Sequence, residues 1–406
     1  MKMRVYSGGK PLLPIPLLLL AGCSATEPKP DPAALASVLD PLLSAAVEQK
    51  KVPLVAAMVT TSDGVVYNGA SSVNKDAIFA IASMTKPVTS AAVMQLVEEG
   101  KVKLDEPAAT YVPELADVKV LEGGNLRPPR SPVSVRQLLS HTAGFTYEIM
   151  NPEIFELVKA GKMPSFMAGG DSFLRAPLLF DPGSRWEYGI NTDLLGRLVE
   201  KVSGKRLDEY FRERIFEPLG MRDTFFVVPQ EKQARVVKNH QRKEDGSFAE
   251  QPLRLPRADE FLSGGGGLRS TPADYLRFCQ ALMAGGSLGG RSILKPDTVA
   301  MMGQNQIGES NIYPLRSMAP QFIKDKAAIP GSLDKFGLGF ALNSKPIAAG
   351  RAANTMAWAG VFNTFFWIDR EKKVAAVVMT QMSPFLDAGP MKLLQELDAA
   401  VYTWLK

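Results

Sequence analysis

Blocks of hydrophobic and polar positions predict helices and strands near the start of the chain. Apolar residues at helical spacing predict a helix over residues 33–50. Two apolar runs, Leu54–Thr61 and Val65–Asn68, flank a Ser-Asp-Gly turn and predict two strands joined by a tight connection. The stretch Val88–Val97 is apolar nearly all round, so we expect a helix buried on every side.

The middle of the chain has a different pattern of hydrophobic and helix-breaking residues. Prolines interrupt short helical pieces between about 105 and 185, which favours an inserted, mostly helical domain. Clear helical patterns return at 191–202, 207–217 and 271–284. Residues 228–262 are polar, and we expect an irregular excursion there.

The C-terminal part again alternates between strand and helix patterns. Four strands are predicted at 337–343, 355–362, 364–369 and 374–380, followed by an amphipathic helix at 391–405. Strands at both ends of the chain, with helices between them, indicate an α/β (α+β) fold with one sheet assembled from both termini.

The first residues have the pattern of a targeting segment. Basic residues precede an apolar run at 12–20 and a Leu-Ala-Gly-Cys sequence that ends at Cys23. This arrangement resembles the lipobox of bacterial lipoproteins. The resemblance implies a signal peptide over 1–22, lipidation of Cys23 and a tether over 23–32. We therefore expect an exported protein, periplasmic or held at the outer membrane by a lipid anchor; an ordinary signal peptide is the alternative.

Composition and charge narrow the function. The chain of 406 residues is 46% hydrophobic and 22% charged, as expected for a folded soluble protein. Three of its five excess positive charges lie in the targeting segment, and no long basic run follows, so no nucleic-acid partner is expected. Two cysteines and two histidines are too few for a metal centre, so we expect neither a metal nor another cofactor. Cys279, in an apolar helical stretch, is expected to be a buried thiol.

Two common routes to an activated serine fit this chain poorly. A Gly-x-Ser-x-Gly sequence occurs at 285–289, but a helix rather than a strand precedes it, so a loop is expected. A Ser-His-Asp triad needs a histidine base. His240 lies in a charged, irregular stretch, and His141 lies in a Ser-His-Thr-Ala-Gly segment where it is expected to order a turn.

A Ser-x-x-Lys pair offers another route. On a helix this spacing places the amine over the hydroxyl, and burial favours the neutral amine that can accept a proton. The pattern occurs five times in this chain, but only Ser83, with Lys86, opens a buried apolar helix. The free amides and the dipole at a helix start favour a developing oxyanion. Ser83 is therefore the candidate nucleophile, and a plain helix cap is the alternative.

Three ordered motifs now identify a resemblance. The Ser-Met-Thr-Lys sequence at 83–86, Tyr188 within Trp-Glu-Tyr-Gly-Ile-Asn, and Trp-Ala-Gly at 358–360 resemble the family VIII carboxylesterases. These enzymes share the fold of class C β-lactamases and penicillin-binding proteins. Segments 141–145 and 264–271 also match the wider family, and the similarity extends over nearly all of the chain after the targeting segment.

The resemblance implies a fold and a division into domains. The fold is β-lactamase/transpeptidase-like, an antiparallel sheet flanked by helices. Residues 33–104 and 195–406 would form the α/β domain, and residues 105–194 the inserted helical domain.

The resemblance also implies roles for particular residues. Ser83 would be acylated, Lys86 would orient and deprotonate it, and Tyr188 would be a second proton shuttle. The backbone N–H groups of Ser83 and Val361 would form the oxyanion hole.

Two departures from the β-lactamase pattern affect the predicted substrate. Trp358, Ala359 and Gly360, the predicted substrate-binding strand, stand where those enzymes have Lys-Thr-Gly, so an indole replaces a cation. Asn191 lies three residues after Tyr188 rather than two. It is therefore either a substrate-binding residue or a cap of the helix that follows.

Together these features predict a serine esterase that hydrolyses short-chain carboxylic esters, with a small-molecule ester as its partner. A β-lactamase or a D-alanyl-D-alanine carboxypeptidase is one alternative. A non-catalytic, penicillin-binding lipoprotein of the cell envelope is the other.

Overall fold

A computed structural model describes residues 1, 8–9, 30–166, 170–253, 258, 261–325, 328 and 331–406. The predicted lipidation site, Cys23, lies outside this set. Within it, no helix is both long enough and apolar enough to span a membrane.

Ten α-helices lie in the described part of the chain. They are α1 (Pro32–Glu48), α2 (Thr85–Glu98), α3 (Val135–Leu139), α4 (Pro152–Lys159), α5 (Asn191–Ser203), α6 (Leu207–Phe211), α7 (Glu217–Leu219), α8 (Pro272–Met283), α9 (Pro296–Met302) and α10 (Ala388–Trp404). A π-helical stretch, Arg212–Phe216, joins α6 to α7, so the helix predicted over 207–217 is continuous but underwound in its centre.

Sixteen short strands accompany these helices in the same described residues. They are β1 (Val55–Thr61), β2 (Gly64–Ser71), β3 (Phe79–Ala80), β4 (Val120–Glu122), β5 (Asn125–Arg127), β6 (Asn239–Arg242), β7 (Phe248–Gln251), β8 (Arg269–Ser270), β9 (Ser287–Leu288), β10 (Arg291–Ser292), β11 (Lys335–Phe336), β12 (Ala341–Leu342), β13 (Met356–Gly360), β14 (Thr364–Asp369), β15 (Val374–Met379) and β16 (Met382–Ser383).

The main sheet combines strands from both ends of the chain, as predicted. Its seven strands follow the order β11-β12-β13-β14-β15-β1-β2, and every neighbouring pair is antiparallel. Strands β14 and β15 are buried along their whole length, and α8 packs on β1, β14 and β15. Helix α1 packs on β2 and pairs with α10. Cross-strand pairing places Ala56 opposite Met379. The predicted class, an antiparallel sheet flanked by helices, is confirmed.

Two predicted segments are organised differently. The single strand expected over 337–343 is wrong: β11 and β12 form a hairpin whose turn includes Gly339, at φ +91°. The excursion at 228–262 is not wholly irregular, because β6 and β7 pair across a turn that contains Gly246, at φ +80°. Strand β6 also pairs in parallel with β16, so this hairpin is joined to the segment between β15 and α10.

The segment between α2 and α5 consists of α3, α4, several 3₁₀ turns and the β4–β5 hairpin. Its apolar residues join the same buried cluster as the main sheet. The proposed division of the chain at residues 105 and 194 stays a prediction.

Candidate active site

Ser83 lies in a tight turn between β3 and α2. The 3₁₀ turn Ala82–Met84 leads directly into α2, and Ala82 has φ +42°, a left-handed conformation that is costly for a residue with a side chain. The preceding residue is held in place, since the Ile81 amide donates to the Leu268 carbonyl at 3.1 Å. This fixed turn brings Ser83 to the wall of a pocket of about 450 Å³.

Lys86 lies one helical turn beyond Ser83 and is almost fully buried, with 1% of its surface exposed. Its Nζ donates to Ser83 Oγ at 3.2 Å, to the Tyr147 hydroxyl at 3.0 Å and to the Gly265 carbonyl at 2.7 Å. These three contacts fix the position of the amine beside Ser83.

Tyr188 completes the predicted set of residues. Its hydroxyl donates to Ser83 Oγ at 2.7 Å, and Lys86 Nζ lies 4.7 Å from the centre of its ring. The ring packs at 5.1 Å from both Trp358 and His141, which holds it in position. The fold thus brings together the three residues that the sequence motifs singled out.

The end of β13 supplies one wall of the pocket. Trp358, Ala359 and Val361 line it, while Gly360 does not. A Cβ on Gly360 would lie 2.3 Å from the Ile81 carbonyl oxygen, so this glycine permits close contact between β13 and the turn before Ser83. The indole N–H of Trp358 has no acceptor among the described residues.

Two backbone amides face the same pocket. Ser83 and Val361 both line it, and within the described ranges no main-chain carbonyl accepts a hydrogen bond from either amide. Two free N–H groups beside a nucleophilic oxygen are the donors that an oxyanion requires. The assignment of these two amides to an oxyanion hole stays a prediction.

Asn191 is the predicted site residue that the structure places elsewhere. It is fully buried, does not line the pocket, and its Nδ2 lies 2.8 Å from Nδ1 of His141. Helix α5 begins at Asn191 itself, and its side chain caps no backbone amide, so neither of its two predicted roles is seen. The extra residue between Tyr188 and Asn191 turns the amide towards His141 instead.

The two histidines take no part in activating Ser83. His141 occupies a turn, at φ +59°, as expected. Burial, together with the nearby charge of Lys86, holds its pKa well below the usual value, so the ring is neutral. His240 contacts the Gln381 carbonyl at 3.3 Å. The serine of the Gly-x-Ser-x-Gly sequence, Ser287, lies in the β9–β10 hairpin after α8.

Tyr147 and Asp193 were missed in the sequence. The Tyr147 hydroxyl accepts a hydrogen bond from Lys86, and its ring packs edge-on against Tyr188 at 5.4 Å. Burial raises the pKa of Tyr147 well above its ordinary value, and the carboxylate of Asp193 raises it further, so the phenol stays protonated. Its position two residues after the Gly-Phe of segment 141–145 was the available signal.

Asp193 is a fully buried carboxylate on α5. Its Oδ1 accepts from the Ser263 hydroxyl at 2.6 Å and from the Gly265 amide at 3.0 Å. Burial raises its pKa, and the positive charge of Lys86 opposes that rise. An acidic residue on the buried face of a predicted helix was the signal for it.

These residues can perform acyl transfer through a covalent serine intermediate. Ser83 Oγ has two groups within proton-transfer distance, and two backbone amides face the space above it. No cluster of potential metal ligands occurs in the described ranges. The site therefore defines the class of serine enzymes that form an acyl-enzyme, whether water or an alcohol then receives the acyl group.

Comparison with known proteins places the chain within this class. The Beta-lactamase family profile matches residues 39–400, and the chain belongs to that family. A methylbutanoyltransferase for monacolin J acid from Aspergillus terreus is 31% identical over 339 residues, which cover 79% of this chain and 81% of that protein. A lovastatin esterase from Penicillium rubens is 29% identical over 345 residues, 79% of this chain and 84% of the other.

A solved structure shows the same fold. Simvastatin synthase from Aspergillus terreus superposes with a TM-score of 0.80 at 27% identity, over 91% of this chain and 98% of that protein. The chain is a serine hydrolase or acyltransferase of the β-lactamase family.

Proposed function

We propose that the protein is a carboxylesterase that hydrolyses short-chain esters through an acyl-enzyme on Ser83. The observation that carries this proposal is the pocket wall at Trp358: neither lysine nor arginine is among the described residues that line the pocket. Penicillins and peptidoglycan stems carry a carboxylate that needs a cation, whereas a neutral acyl group needs apolar surface.

The reaction follows from the contacts of Ser83. Its Oγ attacks the ester carbonyl carbon while its proton passes to the Lys86–Tyr188 pair, both members of which lie within 3.2 Å. The pair accepts this proton in the form that carries one proton fewer, with either a neutral amine on Lys86 or a tyrosinate on Tyr188. The oxyanion accepts from the amides of Ser83 and Val361. The tetrahedral intermediate then expels the alcohol, which takes the proton, and leaves the acyl group on Ser83. Water, activated by the same pair, attacks this ester, and the acid departs.

The size and lining of the pocket support small substrates. A volume of about 450 Å³ is at the lower end of the range for small-molecule sites, and both halves of the ester must share it. Aromatic and aliphatic side chains supply most of the walls, including Tyr147, Phe166, Trp358 and Phe385. We therefore favour acyl chains of about two to six carbons.

Acyl transfer to an alcohol is a second candidate function. It is supported by the relatives, since the name of one specifies a methylbutanoyltransferase and that of another an esterase. Both reactions share the acyl-enzyme and differ in what deacylates it. Hydrolysis of an ester with increasing concentrations of butanol distinguishes them: a transferase yields butyl ester at the expense of free acid, while a strict esterase yields acid throughout.

The β-lactamase and peptidase alternatives are less well supported, because the pocket wall lacks the cation they use. A single preparation assayed with nitrocefin and with p-nitrophenyl butyrate decides between them. We expect the ester to be turned over much faster. Preferential turnover of nitrocefin would overturn the esterase proposal.

Ser83→Ala tests the nucleophile directly. We expect turnover of p-nitrophenyl butyrate to fall by at least about 10³-fold, since both halves of the reaction use this oxygen. Ser287→Ala, in the other serine motif, is the matched control and should retain full activity. Brief exposure to the substrate, followed by intact-mass measurement, should show an acyl adduct on the wild type alone. Undiminished turnover by Ser83→Ala would contradict the proposal.

We also propose that the protein is exported and anchored through lipid on Cys23, on the strength of the targeting pattern before it. Cells fed labelled palmitate should yield a labelled wild type and an unlabelled Cys23→Ala variant. Cys279→Ala, which removes the buried thiol, is the control and should remain labelled. Label that persists in Cys23→Ala would refute the anchor.

A further inference from the structure

Glu148 stands apart from the other residues that line the pocket. Among the described lining residues, it is the one with an acidic or basic side chain. It begins the 3₁₀ turn Glu148–Met150, directly after Tyr147. The reaction described above uses no group of Glu148, so its charge in this wall requires a separate explanation.

The carboxylate of Glu148 is fixed in place without being neutralised. Oε1 accepts from the Ser165 hydroxyl at 2.6 Å, and Oε2 accepts from the Phe166 amide at 2.7 Å. Both donors are uncharged, and no lysine or arginine of the described residues forms an ion pair with Glu148. A carboxylate offers about four acceptor sites, so two donors leave capacity for another partner.

Two aromatic residues adjoin this carboxylate. Tyr147 precedes Glu148 in the chain, the Phe166 amide donates to Glu148 Oε2, and the rings of Tyr147 and Phe166 meet edge to face at 5.3 Å. Both rings line the pocket with Tyr188. Aromatic faces attract cations, and a carboxylate beside them adds to that attraction. Lys86 Nζ already lies 5.3 Å from the centre of the Tyr147 ring, so Glu148 and Phe166 must supply most of the attraction for a second cation.

We propose that Glu148 and the rings of Tyr147 and Phe166 form a cation-accepting subsite, which makes the enzyme favour esters that carry an ammonium group and reject those that carry a carboxylate. This inference rests on the proposed esterase function and names its substrate class. The negative wall also accounts for discrimination against penicillins beyond the loss of a lysine at position 358.

Two pairs of esters with matched shapes test the inference. Butyrylcholine is compared with 3,3-dimethylbutyl butyrate, in which carbon replaces the charged nitrogen, and 4-butyryloxybenzoate is compared with 4-butyryloxybenzamide. At low salt we expect kcat/KM for the choline ester to exceed that for its neutral counterpart by about tenfold, and the benzoate to react several-fold more slowly than the benzamide. Both ratios should move towards one at high ionic strength.

Variants assign the effect to Glu148. In Glu148→Gln, the cationic-to-neutral ratio should fall at least about fivefold, and in Glu148→Asp, which keeps the charge, it should be largely retained. Ratios within one variant cancel any general change in activity. Glu156→Gln, which removes an exposed carboxylate from nearby α4, controls for net charge and should leave the ratio unchanged.

The outcomes separate this inference from the proposed function. A wild-type ratio near one, or a ratio that Glu148→Gln leaves unchanged, overturns the subsite while ester hydrolysis stands. Absence of Ser83-dependent hydrolysis of all four esters overturns the proposed function, and the subsite with it.

Discussion

Asp193 and Lys86 are connected through the backbone of one residue, Gly265. The Gly265 amide donates to Asp193 Oδ1 at 3.0 Å, and the carbonyl of the same residue accepts from Lys86 Nζ at 2.7 Å. A Cβ on Gly265 would lie 2.4 Å from Asp193 Oδ2, so the contact between loop and carboxylate is as close as glycine allows. Asp193 therefore positions the lysine without touching it.

Asp193→Asn should separate this positioning role from substrate binding. The amide can still accept one hydrogen bond but loses the charge that favours the ammonium form of Lys86. We expect kcat to fall about 10–100-fold with KM within about twofold of wild type, and the acidic limb of the kcat–pH profile to shift. Asp208→Asn, at a partly exposed site on α6, serves as the control. An unchanged kcat and pH profile would show that Asp193 is merely structural.

The two tyrosines around Lys86 should differ in importance. Tyr188 contacts Ser83 directly, so Tyr188→Phe should lower kcat by about 10²–10⁴-fold. The Tyr147 hydroxyl bonds to Lys86 rather than to Ser83, so Tyr147→Phe should cost roughly tenfold. Steady-state rates with p-nitrophenyl butyrate measure both losses. Equal effects of the two substitutions would contradict the assignment of Tyr188 as the proton shuttle.

Gly360→Ala should damage the site through backbone contact. The new Cβ would meet the Ile81 carbonyl oxygen and Thr364 Oγ1, each at 2.3 Å, and must push β13 away from the turn before Ser83. We expect a loss of about 1–3 kcal/mol in the free energy of unfolding, together with reduced kcat. Urea denaturation and ester assays measure these. Gly303→Ala meets the flexible Met356 side chain at 3.3 Å and the Ala300 carbonyl oxygen at an ordinary contact distance of 3.7 Å, and should be tolerated.

Asp181 should contribute to stability in a defined pH range. It accepts two hydrogen bonds from the Arg127 guanidinium, both at 2.9 Å, and one from the Arg130 amide at 2.8 Å. These contacts lower the pKa of Asp181 from 3.8 to about 2, and the hydrogen bonds from Arg127 have the largest effect. A pKa lower in the folded state than in the unfolded state means that the contribution is complete above about pH 4 and is lost as the pH falls towards 2.

The expected signature is a difference between two unfolding curves. The free energy of unfolding of wild type should exceed that of Asp181→Asn by a constant amount above about pH 4, and the difference should shrink in more acidic buffer. Asp117→Asn removes an exposed carboxylate with no ion-pair partner among the described residues and should show no such trend. A difference that grows on acidification would contradict the assigned role of Asp181.

The sequence could predict the parts of the site that local spacing determines. Ser83 and Lys86 lie one helical turn apart, so their contact follows from the helix alone. Tyr188 and Trp358 could be placed only through the motif resemblance, because their positions relative to Ser83 depend on the whole fold. The apolar runs at both ends of the chain predicted one sheet assembled from both termini, and the resemblance supplied its antiparallel arrangement.

The remainder depends on tertiary contacts that no pattern encodes. Tyr147 reaches Lys86 because a loop after α3 folds over α2, and Asp193 acts through a glycine about seventy residues further along the chain. Asn191 is the opposite case, a residue that the sequence assigned to the site and the structure does not. It lies one residue further from Tyr188 than in the β-lactamase pattern, and its side chain contacts His141. The hairpin at β11–β12 was missed because glycine turns inside an apolar run leave the hydrophobic pattern intact.

The pairing of β1 with β15 determines when the protein can become active during its synthesis. Ala56 on β1 pairs with Met379 on β15, which is synthesised much later. The pocket wall that contains Trp358 and Val361 is formed by the same C-terminal part of the chain. The nucleophile therefore leaves the ribosome hundreds of residues before the groups that stabilise its oxyanion. Such distant pairings form slowly. An incomplete chain holds Ser83 and Lys86 but lacks the wall opposite them, so it does not yet contain a complete site.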